Sequence, residues 1–167
     1  MKALQGITRL VFLIFFASHI LATLLIDVQA IVPQAWVPTS LRDLLLWYAS
    51  SLGDPLMSAP EKLPWFQSLV CLELMFQLPF FVWAVFELSS DKRQVYSDAF
   101  RCSCIAYGAH TSTTMAPILT TIITSSTNTF SEKLVLLGVY GPYLIVPFTI
   151  MCIAAFDESA VFKNKAN

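Results

Sequence analysis

Two polar side chains lie inside an otherwise apolar stretch, "LELMFQLPFF", at residues 72–81. Glu73 and Gln77 are four residues apart, so they share one face if the stretch is helical. An ionised carboxylate in apolar surroundings is costly, so Glu73 must be protonated, paired or in contact with water. Pro79 has no N–H, so it frees the backbone carbonyl of Met75 and can bend the helix. The pattern predicts a polar patch on one helix face, which is either a site or an interhelical hydrogen bond that fixes packing.

A second acidic side chain, Asp27, ends the first long apolar run of the chain. His19 lies eight residues earlier, roughly on the same helix face, where it is either a helix–helix contact or part of a site. We expect Asp27 and Glu73 to lie at comparable depths from the same side of a membrane. Two carboxylates brought close together do not both ionise easily, so they would share one proton and carry about one negative charge. An apolar cavity with that charge suits a lipophilic amine, aided by cation–π attraction, or a flat lipophilic molecule such as a sterol.

Other polar residues occur in the remaining apolar runs and in one connection. Asp54 precedes a proline in the connection, where it bonds nearby N–H groups of a turn or belongs to the site. The third run carries a predicted polar stripe of His110, Thr111, Thr113 and Thr114, in which Thr114 is four residues past His110 on the same face. Tyr140 and Tyr143 flank a Gly-Pro pair in the fourth run, and they belong either to an interfacial aromatic belt or to the cavity lining.

The sequence carries few signs of other chemistry. Four cysteines lie within or at the edge of apolar runs, which favours small buried side chains over a secreted disulfide framework. Cys102 and Cys104 form a close pair, but a zinc site would need a second one. No Gly-rich phosphate loop, nucleophile elbow or HExxH motif occurs, so neither a cofactor nor a metal is predicted. The net charge of -1 and the lack of a basic stripe exclude a nucleic-acid partner.

The composition indicates which elements position these side chains. The chain of 167 residues is 56% hydrophobic and 13% charged, whereas soluble domains are roughly 25% charged. Four stretches are long enough to span a bilayer, at about residues 10–26, 66–88, 101–124 and 134–156. The third is the least apolar, and its threonines can bond within the bundle. The sequence predicts one all-α domain over residues 1–167, an integral membrane four-helix bundle.

The only long connection, residues 27–65, contains the helical pattern "SLRDLLLWYASS". Ser40 or Thr39 can cap its start. One face is apolar and comprises Leu41, Leu44, Leu45 and Tyr48. We therefore predict a short extra helix that lies on the non-cytosolic end of the bundle as a lid.

The distribution of positive charge predicts the orientation of the bundle. Seven of the ten lysines and arginines fall on the side of the two termini and three on the other, which places both termini in the cytosol. A cleaved signal peptide is the alternative for the first run, since Lys2 and Arg9 precede it, but Asp27 stands in the cleavage region. The final residues "KNKAN" place Lys163 and Lys165 as in K-x-K-x-x retrieval signals of the endoplasmic reticulum, or they form a charged tail.

Five segments together resemble the EXPERA family, which includes a sterol Δ8-Δ7 isomerase. They are "SHILATLLIDVQAIVP", "LLLWYASSLGDPLM", "LELMFQLPFF", "YGAHTSTTMAPIL" and "VYGPYLIVPF". The resemblance implies a four-helix protein of the endoplasmic reticulum membrane and nuclear envelope, a homodimer with a pocket that opens to the membrane. It also implies sterol, oxysterol and lipophilic amine ligands, and the Niemann–Pick C cholesterol transporter and the low-density-lipoprotein receptor system as partners.

The same resemblance implies roles for individual residues. Asp27 corresponds to the family aspartate that pairs with a ligand's ammonium group. Glu73 corresponds to the protonated glutamate that hydrogen-bonds to that aspartate. Asp54 falls on an aspartate needed for ligand binding, through the shape of its loop. The pocket-lining positions of the family correspond to Gln77, Thr114, Tyr140 and Tyr143.

Two functions of different classes use these parts. The first is a receptor that binds sterols and lipophilic amines and modulates cholesterol homeostasis and trafficking. The second is a sterol double-bond isomerase, in which a neutral carboxylic acid protonates the alkene and the remaining charge stabilises the carbocation. Because an ammonium mimics that carbocation, amine binding alone does not separate them. A structural scaffold is a third hypothesis, and it predicts that Asp27→Asn leaves small-molecule binding unchanged.

Overall fold

The computed structural model describes Leu4, residues 6–90 and residues 95–156. Helices and turns make up these ranges, with no strand in them, so the predicted all-α class is confirmed. The α-helices are α1 (Gly6–Leu25), α2 (Thr39–Leu52), α3 (Pro64–Leu72), α4 (Leu78–Ser89), α5 (Asp98–Thr124), α6 (Phe130–Tyr140) and α7 (Pro142–Ala155). Short 3₁₀ turns occupy Asp27–Ala30, Gln34–Trp36 and Pro60–Lys62, and a π-helical turn at Glu73–Gln77 joins α3 to α4.

Three helical segments of the described chain are long and apolar enough to cross a membrane. They are Gly6–Ala30, Pro64–Ser89 and Phe130–Ala155, and they contain three of the four predicted spans. The fourth predicted span matches α5, which has 27 residues and is about 40 Å long at 1.5 Å per residue. Its many threonines and serines make it less apolar than the other three, so a bilayer crossing by α5 stays a prediction.

Orientation across the membrane also stays a prediction. Several of the cations that decide the charge count, Lys2, Lys92, Arg93, Lys163 and Lys165, lie outside the described residues. The proposed retrieval signal at Lys163 and Lys165 is therefore outside them as well. Two arginines at the end of the bundle where α1 begins are described: Arg9 Nη1 donates to the Leu88 carbonyl at 2.6 Å, and Arg101 Nε donates to the Ala154 carbonyl at 2.8 Å. Each cation meets carbonyls of a helix C-terminus, a favourable arrangement.

Buried side chains form two clusters in the bundle. The aromatic cluster, near the start of α1, is built around Phe16, Phe80, Phe81, Phe100 and Tyr107. The aliphatic cluster lies toward the other end and includes Leu45, Val70, Met115, Ile122 and Leu136. Between α5 and α7 the backbones are in close contact, because a Cβ on Gly108 would lie 2.4 Å from the Pro147 carbonyl oxygen. Only glycine allows this approach.

Two of the spanning segments are interrupted within the bundle. The π-helical turn, in which the Leu78 N–H bonds to the Glu73 carbonyl, ends just before Pro79. The wide turn accommodates a proline whose missing N–H would leave a carbonyl unpaired in a regular helix. Between α6 and α7, Gly141 and Pro142 divide the last segment. Both breaks lie beside the candidate site described below.

The predicted extra helix is confirmed as α2, but its predicted cap is wrong. The N-cap position is Pro38, and Thr39 is already helical, so neither Thr39 nor Ser40 caps the helix. The fixed φ of proline sets the entry to the helix instead. At its other end α2 stops at Gly53, whose φ of 62° is left-handed and whose N–H bonds to the Ala49 carbonyl.

Candidate functional site

A cavity of about 160 Å³ lies among α1, α2, α3, α5 and the α6–α7 break, beside the aliphatic cluster. Seven of the predicted ligand-binding residues line it: His19, Asp27, Glu73, Gln77, Thr114, Tyr140 and Tyr143. The rest of its lining is mainly apolar, from Ala22, Ile26, Phe66, Leu69, Val70, Met115, Ile118 and Val139. The predicted residues therefore meet in one place, while their role in binding stays a prediction.

Glu73 is paired with two polar side chains of α1. Thr23 Oγ1 donates to Glu73 Oε1 at 2.6 Å, and His19 Nε2 lies 3.3 Å from the same oxygen. Thr23 is buried completely and was not predicted as a site residue. Its signal was the spacing of His19, Thr23 and Asp27, each four residues from the next on one helix face. This pairing compensates for placing a carboxyl group among apolar neighbours.

The His19 ring is held in place by aromatic neighbours. It stacks on Phe81 with ring centroids 4.4 Å apart at 26°, and the Tyr143 ring lies 4.6 Å away. Its Nδ1 is buried without a hydrogen bond to any described residue. A neutral imidazole has one donor and one acceptor nitrogen, so a proton on Nε2 fits the Glu73 contact and leaves Nδ1 as an unpaired acceptor.

Asp27 follows the end of α1 and begins a 3₁₀ turn that contacts two other elements. Gln29 Nε2 donates to the carbonyls of Leu25 at 2.6 Å and Leu41 at 3.1 Å. Gln67 Nε2 donates to the Ala30 carbonyl at 2.7 Å. These bonds fix the turn, and its first side chain lines the cavity.

The Asp27 carboxylate itself has no hydrogen bond or ion pair with any residue that the structure describes. It is thus an anion-forming group that borders an apolar cavity with its oxygens available. Glu73 borders the same cavity, with one oxygen taken up by Thr23 and His19. A proton shared between Asp27 and Glu73 stays a prediction.

Asp54 does not line the cavity but joins two side chains that do. Tyr140 and Tyr48 donate their hydroxyls to Asp54 Oδ2 at 2.7 and 3.2 Å. The N–H groups of Leu56 and Met57 bond to Oδ1 at 2.8 and 3.2 Å, which confirms the turn interpretation of this residue. The carboxylate therefore connects α2, which carries Tyr48, to α6. Burial, followed by the charge of Asp54, raises the pKa of Tyr48 well above its ordinary value.

Gln77 lies at the deep end of the cavity, where α5 supplies its partner. Thr111 Oγ1 donates to Gln77 Oε1 at 3.0 Å, and Thr114 Oγ1 donates back to the Thr111 carbonyl at 2.9 Å. Thr111 lines the cavity and was not predicted as a site residue. Of the predicted polar stripe on the third run, Thr111 and Thr114 line the cavity, whereas His110 lines a separate groove between α4 and α5.

The described residues contain neither a metal-ligand cluster nor a disulfide. No group of three or more His, Cys, Asp or Glu side chains that could hold a metal ion occurs among them. All four cysteines are free. The expected burial of the cysteines is wrong for Cys71 and Cys102, which are exposed, because they lie on outward faces of α3 and α5, where a small apolar side chain can meet lipid.

Comparisons with known proteins agree with the resemblance in the sequence. The EXPERA (EXPanded EBP superfamily) family matches residues 40–154. Sigma intracellular receptor 2 of Macaca fascicularis is 38% identical over 149 residues, which cover 83% of this chain and 81% of that protein. The human protein of the same name is 37% identical with the same coverage, and that of Xenopus tropicalis is 34% identical over 155 residues, 88% of this chain and 87% of that protein. The family match begins after His19 and Asp27, so it says nothing about those two residues.

Proposed function

Because this chain belongs to the EXPERA (EXPanded EBP superfamily) family, we propose that it is a membrane receptor for lipophilic amines and for sterols or oxysterols. The ligand would bind in the cavity among α1, α2, α3, α5 and the α6–α7 break. Through that binding the protein would modulate cholesterol homeostasis and trafficking. The receptor names of its relatives and the apolar cavity with a carboxylate support this proposal.

The observation that carries the proposal is the Asp27 carboxylate, which borders the cavity without a partner among the described residues. A buried charge without a partner is costly. A cation that fills the cavity would form the ion pair that Asp27 lacks and so bind favourably. The rings of Phe66, Tyr140 and Tyr143 line the same space and add cation–π attraction for an ammonium. Glu73, held by Thr23 and His19, supplies a second oxygen-bearing group near the head of the ligand.

The test is Asp27→Asn in the purified full-length protein, measured by equilibrium binding of a lipophilic tertiary amine. Removing one partner of a buried charge pair costs about 3 kcal/mol, so we expect a loss of affinity of about a hundredfold. Asp43→Asn is the matched control, because Asp43 is exposed on α2 and outside the cavity lining. Unchanged affinity in folded Asp27→Asn protein would favour the scaffold hypothesis.

The proposal includes a location and partners. Residence in the endoplasmic reticulum membrane with both termini in the cytosol is supported by the charge distribution and by Lys163 and Lys165 in "KNKAN". A homodimer, and contact with the Niemann–Pick C cholesterol transporter and the low-density-lipoprotein receptor system, rest on the family resemblance. Changing both lysines to alanine should move the protein out of the endoplasmic reticulum, as fluorescence microscopy of the full chain would reveal.

A sterol Δ8-Δ7 isomerase is the second candidate, and one contact favours it. His19 Nε2 and Glu73 Oε1, 3.3 Å apart, form a pair that can hold and transfer a proton at the cavity wall. Incubation of the purified protein with a Δ8-sterol distinguishes the two functions. A Δ7 product that disappears in Glu73→Gln would establish the enzyme, whereas amine binding without turnover supports the receptor.

A further inference from the structure

The cavity around Asp27 is small for the ligands proposed above. Pockets for drug-sized ligands are roughly 300–1,000 Å³, whereas this cavity measures about 160 Å³. It has room for a head group and little more. A lipophilic amine of ordinary size must therefore place the rest of its structure elsewhere.

A larger groove lies next to the cavity, between α4 and α5. It measures about 460 Å³, and Gln77 is the one described residue that lines both spaces. Gln77 closes the cavity on one side and the groove on the other. The two spaces therefore adjoin at the Gln77 side chain, which accepts a hydrogen bond from Thr111.

The Gln77 side chain has an unused donor at this boundary. The residue is only 6% exposed, and its Oε1 accepts the Thr111 hydroxyl. Its amide nitrogen makes no hydrogen bond to a described residue. The nitrogen is not fully enclosed by protein, so it faces open space. A buried donor that borders a cavity is costly unless a ligand or water satisfies it.

The chemistry of the two spaces differs in a way that matches the two ends of one molecule. The cavity carries the carboxyl groups of Asp27 and Glu73. The groove has no carboxylate, lysine or arginine in its lining. Ser103 and His110 are polar residues at its wall, which is otherwise largely formed by the aromatic side chains of Phe76, Phe80, Trp83 and Tyr107. A cation gains from the first space, and an uncharged aromatic or aliphatic tail gains from the second.

We propose that the cavity and the groove form one site with two chambers, and that its preferred ligands are elongated amines. The ammonium head lies at Asp27 and Glu73, and the tail passes Gln77 and lies in the groove. Rotation of the Gln77 side chain away from Thr111 joins the chambers, and its amide then lines the passage as the residue that determines specificity for tail length. The inference rests on the amine-binding function proposed above.

The experiment compares two tertiary amines with the same dimethylammonium head, one with a benzyl tail and one with a phenylhexyl tail. Ala106→Trp fills the groove, because Ala106 lines it from the exposed side of α5. Ala109→Trp is the matched control, since Ala109 is equally exposed on α5 but outside the groove lining. Affinities of the unaltered protein and of each variant, Asp27→Asn included, are measured on full-length protein in detergent, with protein-free micelles as the background for partition.

We expect the unaltered protein to bind the phenylhexyl amine at least about tenfold more tightly than the benzyl amine, because more apolar surface is buried. Ala106→Trp should abolish that advantage and leave the benzyl amine within about twofold, while Ala109→Trp changes neither affinity. Equal affinities of the two amines, or an advantage that survives Ala106→Trp, would overturn the proposal.

The same experiment separates this inference from the function on which it rests. If Asp27→Asn leaves the benzyl amine bound as before, the amine-binding function is wrong and the two-chamber site is wrong with it. If Asp27→Asn releases both amines but Ala106→Trp affects neither, the function stands and only the second chamber is lost. A phenylhexyl amine with a diazirine at the ring gives a second readout, and it should label peptides from α4 and α5 and not from α2.

Discussion

The two halves of the bundle differ in which side chains contact one another and in whether those side chains surround a cavity. Around the aromatic cluster, Phe16, Phe80, Phe81 and Tyr107 contact one another with ring centroids 4.6 to 5.8 Å apart. Around the cavity, polar side chains of α1 and α5 pair with Glu73 and Gln77 of the π-helical turn and surround a space. The interior of the aromatic cluster supplies rigidity, although Phe80 and Tyr107 also border the groove between α4 and α5. The half with the cavity keeps an unpaired carboxylate in place because its walls continue from that rigid interior.

One residue contacts both halves and connects them. The His19 ring stacks on Phe81 of the aromatic cluster, and its Nε2 lies beside Glu73 of the cavity. We therefore expect changes inside the aromatic cluster, away from the groove, to lower stability, and changes around the cavity mainly to alter binding. The following variants test that division, from the largest expected effect to the smallest.

Phe16→Ala should have the largest effect, because Phe16 is completely buried at the centre of the aromatic cluster. Removing a buried phenylalanine ring costs about 4 kcal/mol. The unfolding midpoint in a calibrated denaturant series measures this loss. Phe86→Ala is the control, since Phe86 is exposed on α4 and should change the midpoint little. Similar midpoints for the two variants would contradict this description of the aromatic cluster.

Gly108→Ala tests the contact between α5 and α7. The new methyl group would lie 2.4 Å from the Pro147 carbonyl oxygen, so the helices must separate, at a cost of about 2–3 kcal/mol. Gly138→Ala on α6 provides the matched control, because its methyl group would meet nothing within 4 Å. That variant should be neutral or slightly stabilising. Thermal unfolding of both proteins in the same detergent gives the comparison.

Asp54→Asn should affect stability less and the position of α2 more. The amide keeps a similar shape but weakens the bonds from Tyr48 and Tyr140, which we expect to cost about 2 kcal/mol. Amine affinity should fall although Asp54 lies outside the cavity lining. Tyr140→Phe, which removes one of the two hydroxyls, should produce a smaller change in the same direction.

The pH dependence of Tyr48 gives a second measurement on Asp54→Asn. Burial and the Asp54 charge raise the pKa of Tyr48, so the folded protein holds this proton more tightly than the unfolded chain. The resulting stabilisation is present below about pH 10 and is lost as pH rises toward the folded pKa. Asp54→Asn should lower the pKa of Tyr48, as ultraviolet titration against Tyr48→Phe would report. An unchanged titration would mean that burial alone sets this pKa.

The apolar runs made the helices predictable, because about 20 apolar residues in sequence have one favourable structure in a bilayer. The polar residues inside those runs likewise indicated the cavity, since Asp27 and Glu73 had no other evident reason to be there. Tertiary contacts could not be read from the chain. The link from Asp54 to Tyr140 joins residues 86 positions apart.

Thr23 and Thr111 were missed for a different physical reason. Threonine in an apolar helix commonly bonds to its own backbone, as Thr113 does to the Ala109 carbonyl and Thr121 to the Pro117 carbonyl. The sequence does not distinguish such a hydroxyl from one that reaches a neighbouring helix. The groove was missed because its walls are ordinary apolar residues, and only the packing of α4 against α5 leaves space between them.

The wide turn at Glu73–Gln77 has a consequence for how the chain tolerates insertions and deletions. Such a turn holds one residue more than regular helix geometry needs, and each residue adds about 100° of rotation. Deleting Met75 would restore uninterrupted geometry but turn everything on one side of the break by about that angle. Glu73 and the ring of Phe81 could then no longer both reach His19. The extra residue therefore sets the rotation of α4 relative to α3 about the helix axis. The number of residues between these two helices is thus as constrained as their side chains.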